Sequence, residues 1–214
     1  MTDNKTNKEG RIGAANKQLI LNAAEHEFAK HGFKGTRIQQ VADRAQLPKT
    51  NVLYYFKSKE NLYLAVLQQI LELWNSVFDE ATKDDDPAEV LARYITDKME
   101  FSLVRPEASR IFALEIINGA PNLYGFYKEQ HAAWMKGRVE VIQHWIDQGQ
   151  IQFSSAHYLL YNIWACCQHY ADFSAQITHL QGKEMDRAEF EDATKSIINL
   201  ILKGCSLDIP EQYR

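Results

Sequence analysis

Between Gly32 and Leu62 the sequence starts and stops a short helical apolar period twice, and few folds accommodate that punctuation. Thr36 stands where an N-cap belongs, with Gln39 three residues on, so a T-x-x-Q capping box opens the first of two short helices. Ile38, Val41, Ala42 and Ala45 give it a buried side. Gln46-Leu47-Pro48 breaks the period, and the spacing predicts a second helix from about Lys49 to Phe56. Ser58 caps the next, with Glu60 in its first turn, where the helix dipole favours an acid. Two short helices joined by a tight break describe a helix-turn-helix, which lays its second helix in the major groove of DNA.

The rest of the chain also reads as helix. Ile20, Ala23, Ala24 and Phe28 share one face of a helix from Asn16 that Gly32 ends, while residues 1–15 hold Lys5, Lys8 and Arg11 without an apolar period and read as a flexible basic arm. A stripe from Leu62 to Val77 predicts one helix over about 59–80. Asp84-Asp85-Asp86-Pro87 opens a helix lasting to about Val104, and Pro106 opens another that stops at Gly119-Ala120-Pro121. Further helices are expected from Asn122 to Gln148 with Gly149 as a stop, from Ser154 or Ser155 to about Leu180, and from Asp186, with Glu189 three on, to Gly204. No segment alternates like a strand, and no internal repeat is visible. The expected fold is all-α. A basic arm (1–15) precedes a three-helix helix-turn-helix domain (16–62) and a larger helical domain for ligand binding and dimerisation (63–214).

An apolar content of 45% suffices for a sizeable core, yet no apolar run approaches a membrane span. The polar N-terminus lacks a signal-peptide core, and Cys166, Cys167 and Cys205 make no metal spacing, so reduced thiols in a cytoplasm, with no metal or cofactor, are expected. The net charge of −4 hides a division. Residues 1–60 hold 11 Lys and Arg against 6 Asp and Glu, a balance of +5, and residues 61–214 hold 13 against 22, a balance of −9. A basic first quarter on an acidic body suits one nucleic-acid face.

A helix-turn-helix needs phosphate donors at the start of its first helix and short polar side chains in the first turn of its second. Thr36 and the backbone N–H groups beside it suit a phosphate oxygen, and Arg37 follows. Lys49, Thr50 and Asn51 occupy the base-reading turn, where lysine can donate to guanine, asparagine can pair with adenine and the threonine methyl can touch thymine. Tyr54 and Tyr55 point in different directions, one inward and one towards a phosphate; Lys57 and Lys59 close the site as cations. Residues 16–67 resemble the DNA-binding domain of TetR-type transcriptional regulators, carried by Phe33, Gly35, Thr36, Ile38, Val41, Ala42, Ala45, Lys49, Leu53-Tyr54-Tyr55-Phe56, Lys59, Glu60 and Leu62. Two positions depart from that pattern: Gln46 stands where glycine is usual, and Pro48 near where a capping serine or threonine is usual.

In the body, Trp164, Gln168 and Asp172 fall on one helical face. A ring to stack on, an amide and a carboxylate suit a small flat heterocycle; a core tryptophan with two surface polar residues fits the pattern equally. I163-W-A-C-C-Q-H-Y-A-D-F-S-A-Q-I177, S109-R-I-F-A-L-E-I-I-N-G-A-P121 and Q69-I-L-E-L-W74 resemble the pyrimidine-utilisation branch of the same family. That resemblance implies a homodimeric repressor on a palindromic operator, released by uracil or thymine. It adds Trp74 and Glu115 as ligand residues, with an Arg110–Glu115 ion pair as the competing role for Glu115. Tyr158, Leu159, Ile163, Tyr170, Phe173, Ile197, Ile198, Ile201 and Leu202 make apolar stripes fit for a four-helix dimer interface or for the protomer core. Two other classes stay open: an enzyme using Asp172, Glu115 or His169 on a heterocycle, and a helical interaction module without DNA.

Overall fold

Ile20, Ala24 and Phe28 recur at helical spacing and are all buried, which places one face of the first helix in a core and leaves the other in water. The computed structural model describes the backbone of residues 3–123, 125 and 131–214, and within these the side chains from residue 12 onward except that of Val77. Among the described residues there are ten α-helices and no strand. They are α1 (Asp3–Gly35), α2 (Ile38–Ala45), α3 (Lys49–Phe56), α4 (Lys59–Asp79), α5 (Pro87–Val104), α6 (Pro106–Ile117), α7 (Ala132–Asp147), α8 (Ala156–Asp172), α9 (Ser174–Gln181) and α10 (Arg187–Gly204). None is long and apolar enough to cross a membrane.

The chain forms two compact units, residues 1–71 with 110–123 and residues 72–109 with 124–214. Both α4 and α6 therefore contribute residues to each unit, and 110–123, read as body, belongs with the first. Three further outcomes depart from expectation. α1 begins at Asp3, so residues 3–15 are helical rather than an irregular arm; nothing in that polar stretch interrupts the backbone ladder of the buried helix that follows. The side chains of Lys5, Lys8 and Arg11 lie outside the described residues. Residues 121–123 are a turn, so the helix expected from Asn122 begins later: Gly125 is helical, α7 runs from Ala132, and 124 and 126–130 lie outside the described residues. The helix expected to run from Ser155 to Leu180 is two, broken at Phe173 (φ −112°, ψ 23°).

In the second unit α5 packs on α8 and α10 around Tyr94, Ile95, Met99, Leu160, Ile163 and Ile198. Asp86 caps α5 through Ala88 and Glu89, with Pro87 at the first position, and Asp186 and Glu189 form the capping box of α10. Arg138 donates to the carbonyls of Phe78, Asp79 and Ala81, which closes the free C-terminal end of α4. Six of the stripe residues, Leu159, Ile163, Ile197, Ile198, Ile201 and Leu202, are buried within the protomer. The apolar side chains exposed on α8–α10 are Tyr158, Tyr161, Leu180 and Leu200, with Phe173 at the break between α8 and α9.

Candidate nucleic-acid and ligand sites

The frame of the helix-turn-helix is built from polar contacts inside the first unit. Gly32 takes a positive φ of 67°, which turns the chain out of α1. Thr36, only 1% exposed, donates its hydroxyl to the carbonyls of Glu27 (3.0 Å) and Gly32 (2.8 Å). Its expected roles as cap and as phosphate donor are both corrected: the hydroxyl has one proton, and it is spent inward. The cap begins one residue later, where the Gln40 side chain accepts from Arg37 N–H at 2.7 Å. Buried Glu27 accepts from Arg44 Nε at 2.6 Å and so ties α1 to α2.

Lys59 also serves the frame. Its ammonium donates to the carbonyls of Phe33 (2.9 Å) and Thr36 (3.2 Å) and lies 4.6 Å from the Phe33 ring centroid. Two of three ammonium protons are thus engaged on the protein, leaving one for a phosphate. Lys57 folds back similarly, donating to the Tyr54 carbonyl at 2.8 Å.

At Gln46, where glycine is usual, the turn still takes the left-handed region (φ 55°, ψ 38°), a conformation that a side chain disfavours. Leu47 N–H reaches Ala42 O at 3.0 Å, so the turn keeps its hydrogen bonds while a side chain occupies a position suited to glycine. Gln46→Gly is expected to stabilise the domain by about 0.5–1 kcal/mol, visible as a higher urea midpoint; an unchanged or lower midpoint counts against strain there. Pro48 offers no side-chain cap to α3, and Asn51 N–H bonds its carbonyl instead.

With that frame in place, α3 turns Val52 and Phe56 inward and leaves Lys49 and Thr50 exposed in its first turn. Asn51 is half-buried. Tyr54 is 71% exposed while Tyr55 is half-buried, and the two rings meet edge to face at 5.2 Å. Arg37 is exposed at the start of α2.

In the second unit, the face of α8 predicted to bind a ligand is half-buried at Trp164, Gln168 and Asp172. Trp164 Nε1 donates to Tyr94 Oη at 2.7 Å, and Ser109 Oγ donates to Asp172 Oδ1 at 2.5 Å. Trp74, on the last turns of α4, is buried and lies under the ammonium of Lys98, 5.0 Å from the indole centroid; the same ammonium is 5.6 Å from the Tyr94 ring. Trp74, Trp164 and Asp172 therefore share one neighbourhood, joined through Tyr94 and Lys98. Burial pushes the Lys98 pKa down to about 8, partly opposed by Cys167 and Asp172. Glu115 is a different case. It lies in the first unit, and its carboxylate accepts from Asn122 N–H (2.7 Å) and Asn122 Nδ2 (3.1 Å). Burial, and then Glu115 as charge and hydrogen-bond acceptor, raises the pKa of Tyr63, so among the described residues the partners of Glu115 are Asn122 and Tyr63 rather than Arg110. Glu115 also lines a cavity of the first unit with Phe28, Phe33, Tyr63 and Asn122, so its ligand role stays an expectation apart from the Trp164 face.

Sequence reasoning missed Lys98, Tyr94 and Ser109. The signal available was a lysine within the apolar stripe of α5, three residues after Ile95 and seven after Leu91, where a solvent-facing cation does not belong.

Comparison with known proteins follows the same division. Residues 20–66 match the model for bacterial regulatory proteins of the tetR family, and residues 67–208 match that for the C-terminal region of YcdC-like protein. Over 200 residues the chain is 37% identical to the HTH-type transcriptional regulator RutR of Escherichia coli (strain K12), covering 93% of this chain and 94% of RutR. It is 31% identical over 116 residues to the HTH-type transcriptional repressor NicS of Pseudomonas putida, 54% of this chain and 55% of NicS. The solved structure of AibR with isovaleryl coenzyme A and operator DNA shares the fold, with a TM-score of 0.66 at 15% identity, over 86% of this chain and 97% of that one.

Proposed function

Since this chain belongs to the TetR family of bacterial transcriptional regulators, we propose that it is a repressor released from its operator by a small planar ligand of the uracil or thymine kind. Its relatives regulate transcription rather than catalyse reactions, and DNA binding is its family activity. The observation that carries the reading is the first turn of α3, where Lys49 and Thr50 stand exposed on a helix whose other side is buried. Arg37, Asn51, Tyr54 and Tyr55 complete the proposed DNA surface, with Lys59 holding its frame and reserving one proton for a phosphate. A homodimer would present two such turns to the two halves of a palindrome. Exposed Tyr158 and Leu200 support α8 and α10 as the pairing face.

The ligand part of the proposal rests on the indoles of Trp74 and Trp164 for stacking, with Gln168 and Asp172 matched to the alternating carbonyl and N–H edge of a pyrimidine. Trp74 sits on α4, the helix that begins at Lys59, three residues past the end of α3. A ligand that repositions Trp74 thus acts on a helix continuous with the frame of the reading head.

A thermal-shift screen of nucleobases and their breakdown products tests this. A ligand present at a hundred times its dissociation constant adds about 2.7 kcal/mol to the folded form. Uracil or thymine should raise the melting temperature and weaken operator binding. A stabilising ligand of unrelated chemistry, with uracil and thymine inert, would replace the pyrimidine assignment and leave the regulator intact.

A further inference from the structure

Lys98 places an ammonium among aromatic rings. The residue is 5% exposed. Among the described residues no hydrogen bond or ion pair engages its nitrogen; it rests instead against the faces of Trp74 and Tyr94. Its nitrogen is not among the fully enclosed unpartnered atoms of the described residues, so its three donors face space that a small acceptor can reach. Aromatic faces attract the charge but accept no directed hydrogen bond of ordinary strength. Ser109 donates to the nearby carboxylate of Asp172, which has further contacts of its own. Trp164 donates to the Tyr94 hydroxyl, which fixes the ring that borders the ammonium.

We propose that Lys98 is an effector-binding residue whose ammonium donates to an acceptor oxygen of the ligand, which assigns the ligand to planar heterocycles bearing a carbonyl or anionic oxygen. The inference rests on the pyrimidine reading and sharpens it. A carbonyl flanked by ring N–H groups would meet Lys98 at its oxygen and the carboxylate of Asp172 at an N–H, between the two indoles. It also ties binding to a proton. The groups facing the ammonium are Trp74 from α4, Tyr94 on its own helix, and Cys167 and Asp172 from α8. Burial raises the pKa of the Tyr94 hydroxyl above its ordinary value and pushes the Cys167 thiol up to about 12, so both stay neutral while Lys98 titrates near 8. The ligand needs the protonated form. Affinity is therefore flat below pH 8 and falls above it, about tenfold weaker at pH 9 than at pH 7.

Calorimetric titration of the full chain with uracil, in two buffers of different ionisation enthalpy, tests both parts. Lys98→Met is expected to bind uracil about 30-fold more weakly than the unaltered protein at pH 7, the loss of one charge-assisted hydrogen bond. The unaltered protein should take up a proton fraction on binding at pH 8.5, and the variant none. Uracil binding within threefold of the unaltered protein by Lys98→Met, without proton uptake by either, overturns the role of Lys98 and leaves the pyrimidine reading standing. Absence of uracil binding by the unaltered protein overturns the pyrimidine reading itself, and this use of Lys98 with it.

Discussion

Lys98→Met is expected to make the ligand-free protein more stable at pH 7, by about 2 kcal/mol. The buried ammonium has its pKa lowered from 10.5 to about 8, a fall equivalent to roughly 3 kcal/mol of cost to the folded state. Contact with the Trp74 and Tyr94 faces returns about 1 kcal/mol of that. Methionine of similar length keeps the packing and removes the charge. The pH dependence has a definite sign. Below pH 8 both folded and unfolded chains hold the proton, and the cost is fully present. Between 8 and 10.5 the unfolded chain holds more protons than the folded one, so the stability of the unaltered protein climbs with pH while that of Lys98→Met does not. Urea unfolding at pH 7 and at pH 9.5 should show a gap that narrows at the higher pH. A variant no more stable than the parent at pH 7 would mean that the ammonium is well solvated in place. Lower stability with tighter ligand binding is the exchange expected of a binding residue, and a purely structural lysine would not show it.

The second large effect is expected at the reading turn. Replacing Lys49 and Thr50 together by alanine should weaken operator binding by at least a hundredfold, because each well-made base contact is worth about 1–3 kcal/mol. Both side chains are exposed in the free protein, so the melting temperature should stay within about a degree of the parent. Fluorescence anisotropy against an operator selected from random duplex DNA supplies the affinity. Operator binding unchanged by the double substitution would remove α3 from the major groove.

Much of this was readable from local chemistry. Asp86 with Pro87, and Asp186 with Glu189, mark helix starts because capping is decided within four residues. Gln46 stood out as the odd residue of the turn because a tight turn after α2 leaves few backbone options. What escaped depended on tertiary context. Thr36 and Arg37 both stand at plausible capping distance from a glutamine, and only the packing of α1 on α2 decides that Thr36 turns inward. The break at Phe173 left the apolar period intact, so periodicity ran α8 into α9. The shared face of Trp164, Gln168 and Asp172, proposed as a ligand face, was visible from i, i+4 spacing, whereas Lys98 was passed over because a lysine is by default assigned to solvent. Glu115 carried a ligand role by resemblance alone, and its partners come from a turn that its own helix does not reveal.

The clamp made by Lys59 has an evolutionary consequence. One ammonium fastens the first residue of α4 to the carbonyls that lead out of α1, and it does so without reading a base. Base choice is assigned in the proposed function to other positions, Lys49 and Thr50. Selection can therefore retune which operator is recognised by changing the turn, while the lysine that holds the turn in place is kept for mechanical reasons. Paralogues that diverge in their targets could share this clamp unchanged, so its retention in a relative would report a shared frame and say nothing about a shared regulon.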